Sequence, residues 1–123
     1  MKQNTEQTYS ISELSTEFEI TPRSIRHYED KGLILPARNG SQRVYNKGDR
    51  VKLQLILRGK RIGFSLSEIR EIISLYDVPA GEQKQTLLLL GKIKQRRVEL
   101  DQQQQDIKAM LVELERLEQR LSL

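Results

Sequence analysis

The sequence predicts a mainly α-helical chain: two short helices in a helix-turn-helix arrangement, a small β-hairpin wing, two further helices and a long coiled-coil helix. Three observations predict it. Helix-capping motifs punctuate residues 10–68, and an apolar/polar alternation containing Pro36 and Gly40 interrupts them. Beyond residue 82 an apolar residue recurs at every seventh position.

Each element has a local reason. Ser10-Ile11-Ser12-Glu13 fits a capping box, in which Ser10 caps a backbone N–H and Glu13 reaches back. A short helix with Ile11 and Leu14 inward runs to about Glu17, and Phe18-Glu19-Ile20 forms a turn. Thr21-Pro22 supplies an N-cap followed by proline at the first helical position, opening a helix over 22–31 that stops at Gly32. Ile25 and either Tyr28 or Glu29 stand at core spacing along it. Residues 33–45 read as a hairpin turning near Asn39-Gly40, with Pro36 and Gly40 as turn formers. Asn46, with Asp49 three residues on, opens a third helix that carries Val51, Leu53, Leu55, Ile56, Leu57 and Ile62 and ends at Gly63. Ser65-Leu66-Ser67-Glu68 opens a fourth, through about Tyr76, and Asp77 to Gly81 is a break.

Residues 82–123 hold no proline. Ile93, Leu100, Ile107, Leu114 and Leu121 occupy a heptad a series, and Leu89, Met110 and Leu117 occupy d positions. Arg96 and Gln103 interrupt the d series, and Arg96 reads either as a register device or as a fray. A helix of about 40 residues is ~60 Å long and projects beyond so small a domain, so its seam calls for a second helix.

Composition excludes much chemistry. With 123 residues the chain forms one compact domain with an appendage at most. It has no cysteine and one histidine, which removes disulfides, thiolate nucleophiles and cysteine-ligated zinc or iron–sulfur clusters. No metal, cofactor or catalytic residue is expected; no nucleophile–base pair or phosphate loop is present. No apolar run approaches the ~18 residues of a membrane span, and residues 1–8 form a polar arm without the apolar core of a signal peptide. A cytoplasmic, soluble protein without membrane association is the expectation. Charge is concentrated: residues 1–22 net −3, whereas residues 23–61 carry eleven Lys and Arg against three acids, a net of +8. Such a stretch suits a phosphate-binding surface, and alone it equally suits a solvated face.

The ordered set of motifs adds a resemblance. Ile11-Ser12-Glu13-Leu14, Ile20 to Glu29 (ITPRSIRHYE), Gly32-Leu33-Ile34 with Pro36, Arg43 with Tyr45, and Arg58 with Ile62-Gly63-Phe64-Ser65-Leu66, Glu68 and Ile69 together resemble the MerR family of transcriptional regulators over about residues 9–76. The resemblance implies a winged helix-turn-helix DNA-binding domain over 9–76, a linker at 77–81 and an antiparallel coiled-coil dimerisation helix over 82–123. It implies a homodimer on an inverted-repeat promoter operator, meeting RNA polymerase there and distorting the DNA.

Carried over by position, the resemblance puts Arg23, Ser24, Arg26, His27 and Tyr28 on the helix that reads base edges and grips phosphates. Arg38, Asn39, Gln42, Arg43 and Tyr45 fall in the wing, and Lys60 and Arg61 in a second wing at the junction of the third and fourth helices. Leu89, Ile93, Leu100, Ile107, Met110, Leu114, Leu117 and Leu121 form the dimer seam. Arginine pairs bidentately with guanine or phosphate, and lysine acts as a point charge, so the residue types suit those places. Two alternatives stay open: Tyr28 as core or contact, and His27 as contact or solvated position. Relative to metal- and redox-sensing members, the dimer-helix cysteines are missing, and the chain stops where drug-sensing members continue into a ligand domain. PRSIRHYED and LILRGKRIGFSLSEIREI are similar to regulators of leucine/isovalerate and related acyl-CoA catabolism, with no effector specified. An excisionase-like or architectural DNA-binding factor is the competing reading, and a coiled-coil adaptor with a basic domain a third.

Overall fold

The computed structural model describes residues 7–122. Its elements follow in the order α1 (Ile11–Phe18), α2 (Pro22–Asp30), β1 (Ala37–Asn39), β2 (Gln42–Val44), α3 (Lys47–Arg61), α4 (Leu66–Ile73) and α5 (Gly81–Leu121). The chain divides into two compact units, the first ending at Val78 and the second beginning at Pro79. Of the polar arm expected over residues 1–8, residues 1–6 lie outside the described residues, and Gln7 and Thr8 are exposed.

The helix starts of the first unit are fixed by short-range chemistry. Ser10 Oγ accepts from the Glu13 N–H at 3.0 Å, and the Ser10 N–H donates to the Glu13 carboxylate at 2.8 Å. The same reciprocal box closes α3 through Asn46 and Asp49 and α4 through Ser65 and Glu68. Each cap satisfies amides that the helix leaves unpaired and contributes about 1 kcal/mol. The helix ends are as definite. At the end of α3 the Phe64 N–H reaches Gly59 O and the Gly63 N–H reaches Lys60 O, with Gly63 at φ +92°. That left-handed turn suits glycine, and it delivers Phe64 into the core. α2 closes in the same pattern, delivering Leu33. α4 is shorter than expected: it ends at Ile73, and Leu75 and Tyr76 continue as turns bonded to Ile72 O and Ile73 O. Pro79, close behind, removes an amide donor that a continuing helix would use.

Leu14, Ile25, Leu33, Ile34, Leu53, Ile56, Phe64 and Ile69 make the core, each at most 4% exposed. α1 packs on α2, and α3 packs on α4. The second contact depends on Gly59, where an added Cβ would stand 2.9 Å from Ile69 Cγ1. The hairpin pairs Ala37 with Val44, Arg38 with Arg43 and Asn39 with Gln42, which places its turn at Gly40-Ser41, one residue later than expected. Gly40 sits at φ +66°, as the first position of a tight hairpin turn requires. Tyr9 and Tyr45 exchange two backbone hydrogen bonds of 2.8 and 2.9 Å, laying the residue before the Ser10 cap beside the hairpin's exit.

The second unit is a 41-residue helix. Among the described residues no helix is long and apolar enough to cross a membrane.

Candidate nucleic-acid interface

The periodicity of α2 sorts its side chains. Ile25 and Tyr28 point into the core, and Arg23, Arg26 and His27 are exposed on the other side. Arg23 and Arg26 make no ion pair among the described residues, so their guanidinium groups are available to a partner. Ser24 belongs to the helix start: its N–H donates to Thr21 Oγ1, and the two hydroxyls lie 3.1 Å apart. Tyr28 resolves to the core reading, 9% exposed, and burial raises its phenol pKa. Of the two alternatives left open for Tyr28, core or contact, this burial favours the core.

The hairpin carries Arg38, Asn39 and Gln42 exposed and Arg43 half-buried. Tyr45, expected among the wing contacts, lies inside. It is 0% exposed, and its hydroxyl is buried without a hydrogen-bond partner among the described residues. The β-bridge to Tyr9 fixes that backbone, and the ring is buried in the core. Lys60 and Arg61 are exposed in the last turn of α3, where cations also complement the helix dipole.

Part of the basic stretch is structural. Arg50 pairs with Glu17 and lies over the rings of Tyr9 and Phe18, at 6.0 and 5.6 Å from their centroids. The Arg50 guanidinium holds the Glu17 carboxyl below its ordinary pKa. Lys52 bonds Asp77 at 3.0 Å and lies over Tyr76. These two cations are paired within the unit, so they add less to its outer field than the bare count suggests.

One acid on this face escaped sequence reasoning. Glu29, on α2, accepts from Arg43 at 2.6 Å and from Arg38 at 3.2 Å. Its spacing from Ile25 offered a core reading as the alternative to Tyr28, and nothing local marked it as a partner of the hairpin.

On α5 the heptad residues divide. Leu89 and Ile93 are half-buried, whereas Leu100, Ile107, Met110, Leu114, Leu117 and Leu121 are exposed, Leu100 by 42% and Leu121 by 77%. Arg96 pairs with Glu99 one turn on, at 3.1 Å. No group of three or more His, Cys, Asp or Glu residues suited to a metal ion occurs among the described residues.

Comparison with known proteins points to the MerR family. A family model described as MerR HTH family regulatory protein matches residues 9–75, and one described as MerR, DNA binding matches residues 50–117. The HTH-type transcriptional regulator CueR of Salmonella typhi is 31% identical over 108 residues, covering 82% of this chain and 78% of that protein. A MerR-family transcriptional regulator from Bacillus cereus is similar in structure, with TM-score 0.72 and 28% identity over 93% of this chain and 82% of that one. HiNmlR, a MerR family regulator lacking the sensor domain and solved bound to promoter DNA, shares the fold at TM-score 0.68 and 17% identity, covering 95% of each chain.

Proposed function

The chain belongs to the MerR family of helix-turn-helix regulatory proteins, and from that premise we propose that it acts as a homodimer on an inverted-repeat promoter operator. The observation that carries the reading is the outer face of α2, where Arg23, Arg26 and His27 stand exposed while Ile25 and Tyr28 anchor the helix. In this reading α2 enters the major groove, and Arg38, Asn39 and Gln42 of the hairpin, with Lys60 and Arg61, meet the flanking phosphates. Phosphate contacts set register, and base contacts set sequence preference. Arg43 acts within the wing, and Ser24 keeps the helix start in shape.

The second half-site comes from a second copy. The exposed seam on α5 supports pairing with its counterpart, and the family resemblance makes that coil antiparallel, centred near Leu100 and Ile107. A dimer that bends its operator has to offset a deformation cost, so bases at the operator centre affect affinity without being touched. Aligning promoter elements for RNA polymerase in this way is the regulatory act we propose, carried out in the cytoplasm. Local phrases in α2 and across α3 and α4 support control of leucine/isovalerate or related acyl-CoA catabolism genes, and the absence of cysteine supports a non-metal effector. Footprinting on promoter fragments, with and without acyl-CoA metabolites, tests the target. Protection indifferent to every acyl-CoA would remove this assignment.

Arg26→Ala tests the recognition helix. It is expected to cost about 1–3 kcal/mol on a selected operator and little on random DNA. Equal losses on both duplexes in a mobility-shift titration would make Arg26 a phosphate contact instead.

A further inference from the structure

Glu29 lies in the last turn of α2, and its carboxylate receives a guanidinium from each strand of the hairpin. Arg43 Nε donates to Oε1 at 2.6 Å, and Arg38 Nη2 donates to Oε2 at 3.2 Å. The two arginines are cross-strand partners. Like charges directly opposed on a hairpin destabilise it, so a shared carboxylate converts a repulsive pair into a clamp over both strands.

The two arms of the clamp are unequal. The Glu29 side chain is 15% exposed, that of Arg43 24% and that of Arg38 49%. A short, sheltered, charge-assisted bond is strong, whereas a longer one half in water is weak and screened by salt. Arg43 is also held firmly in its charged form by the Glu29 hydrogen bond. Arg38 is therefore the cation that a competing anion can remove.

We infer that Glu29 is a positioning residue for DNA recognition, tying α2 to the wing through Arg43 and holding Arg38 until a phosphate takes it. The inference rests on the DNA-binding reading above. A phosphate displaces Glu29 only where seating of α2 in the groove brings one within hydrogen-bond distance of the hairpin. On ill-fitting DNA Arg38 stays paired, so Glu29 suppresses non-specific attraction and sharpens the preference for a fitting site.

The test uses the full chain, a duplex selected by the wild-type protein from a random library, and a random-sequence duplex. Affinities are measured by fluorescence anisotropy over a series of potassium chloride concentrations. Each phosphate contact contributes about 0.9 to the slope of log affinity against log salt. Glu29→Gln is expected to steepen the slope on random DNA by about one contact, and to reduce the preference for the selected duplex about tenfold, the scale of one mismatched base pair. Adding Arg38→Ala to Glu29→Gln returns the random-DNA slope to the wild-type value. Arg38→Ala alone, which leaves the Arg43 tie in place, lowers the slope on the selected duplex and leaves the random one unchanged; it carries the test if circular dichroism shows Glu29→Gln unfolded. An unchanged slope in folded Glu29→Gln, a steep slope persisting in the double variant, or equal slope changes on both duplexes for Arg38→Ala would each overturn the inference. A wild-type protein that selects no duplex would instead overturn the DNA-binding reading beneath it.

Discussion

The first unit and α5 use similar apolar residues to opposite ends. In the first unit Leu14, Ile25, Leu53 and Ile56 are 0% exposed, whereas on α5 Leu100, Ile107 and Leu114 are 42, 53 and 61% exposed. The difference lies in chain geometry. Four short helices and a hairpin, each stopped by caps and turns, fold back and cover one another's apolar faces. A single 41-residue helix has nothing on its own length to fold against, so its heptad seam awaits a second surface. Stability in the first unit is local property of the chain, and stability along α5 is expected to depend on concentration.

The largest effect expected is on that dependence. Leu100→Glu with Ile107→Glu places like charges in the seam of both copies, costing about 3–5 kcal/mol of dimer stability. Sedimentation should show a monomer that keeps its helical signal, and operator affinity should fall by about 100-fold or more with the second half-site. A variant still sedimenting as a dimer would show that the seam is not the interface, and the contrast between the two units would lose its meaning.

Two glycines sharpen the comparison from the other side. Both lie inside helices, where glycine costs about 1 kcal/mol relative to alanine. At Gly59 an added Cβ would meet Ile69 at 2.9 Å, whereas at Gly91 it would meet nothing within 4 Å. Gly59→Ala is expected to lower the stability of the first unit by about 1–3 kcal/mol through overpacking. Gly91→Ala should raise the helicity and thermal midpoint of α5, by roughly 0.5–1 kcal/mol. Urea and thermal melts of the two variants check the signs, and a stabilising Gly59→Ala would mean that α3 and α4 separate at little cost.

The smallest effect is a pH dependence confined to the first unit. Burial raises the Asp49 pKa above the ordinary aspartate value, and the Asn46 N–H and Lys52 only partly counter it. A raised carboxyl binds its proton more tightly in the folded state, so its contribution is fully present below the ordinary value and is lost as pH rises through the raised one. Glu17 runs oppositely: its lowered pKa contributes above the ordinary glutamate value and is lost as pH falls through the lowered one. Asp49→Asn should therefore remove a loss of stability that the wild type shows on rising pH in the acid range. Parallel urea midpoints for both proteins across that range would contradict the assignment.

Most of the fold was legible because its signals are short-range. The boxes at Ser10, Asn46 and Ser65 each join residues three apart, and the heptad repeats on a fixed spacing. The parts that escaped depend on long-range contacts. Glu29 meets arginines nine and fourteen positions away, and Gly59 matters because Ile69 packs on it. The resemblance placed Tyr45 among the wing contacts, whereas its ring is buried and its backbone is bridged to Tyr9, 36 positions away. The basic count had the same weakness, since Arg50 and Lys52 look like Arg23 and Arg26 until Glu17 and Asp77 are found beside them.

The reciprocal bonds between Tyr9 and Tyr45 bear on the order of folding. Capped helices form within microseconds from neighbouring residues, whereas this pair must close a loop spanning α1, α2 and the hairpin, with an entropic cost that grows with loop length. The wing thus depends on a strand-like residue from far along the chain, and it gains its final support only after the helices have gathered the chain together. In native-state hydrogen exchange the amides of Tyr9 and Tyr45 should open as one cooperative unit, ahead of the amides of α3.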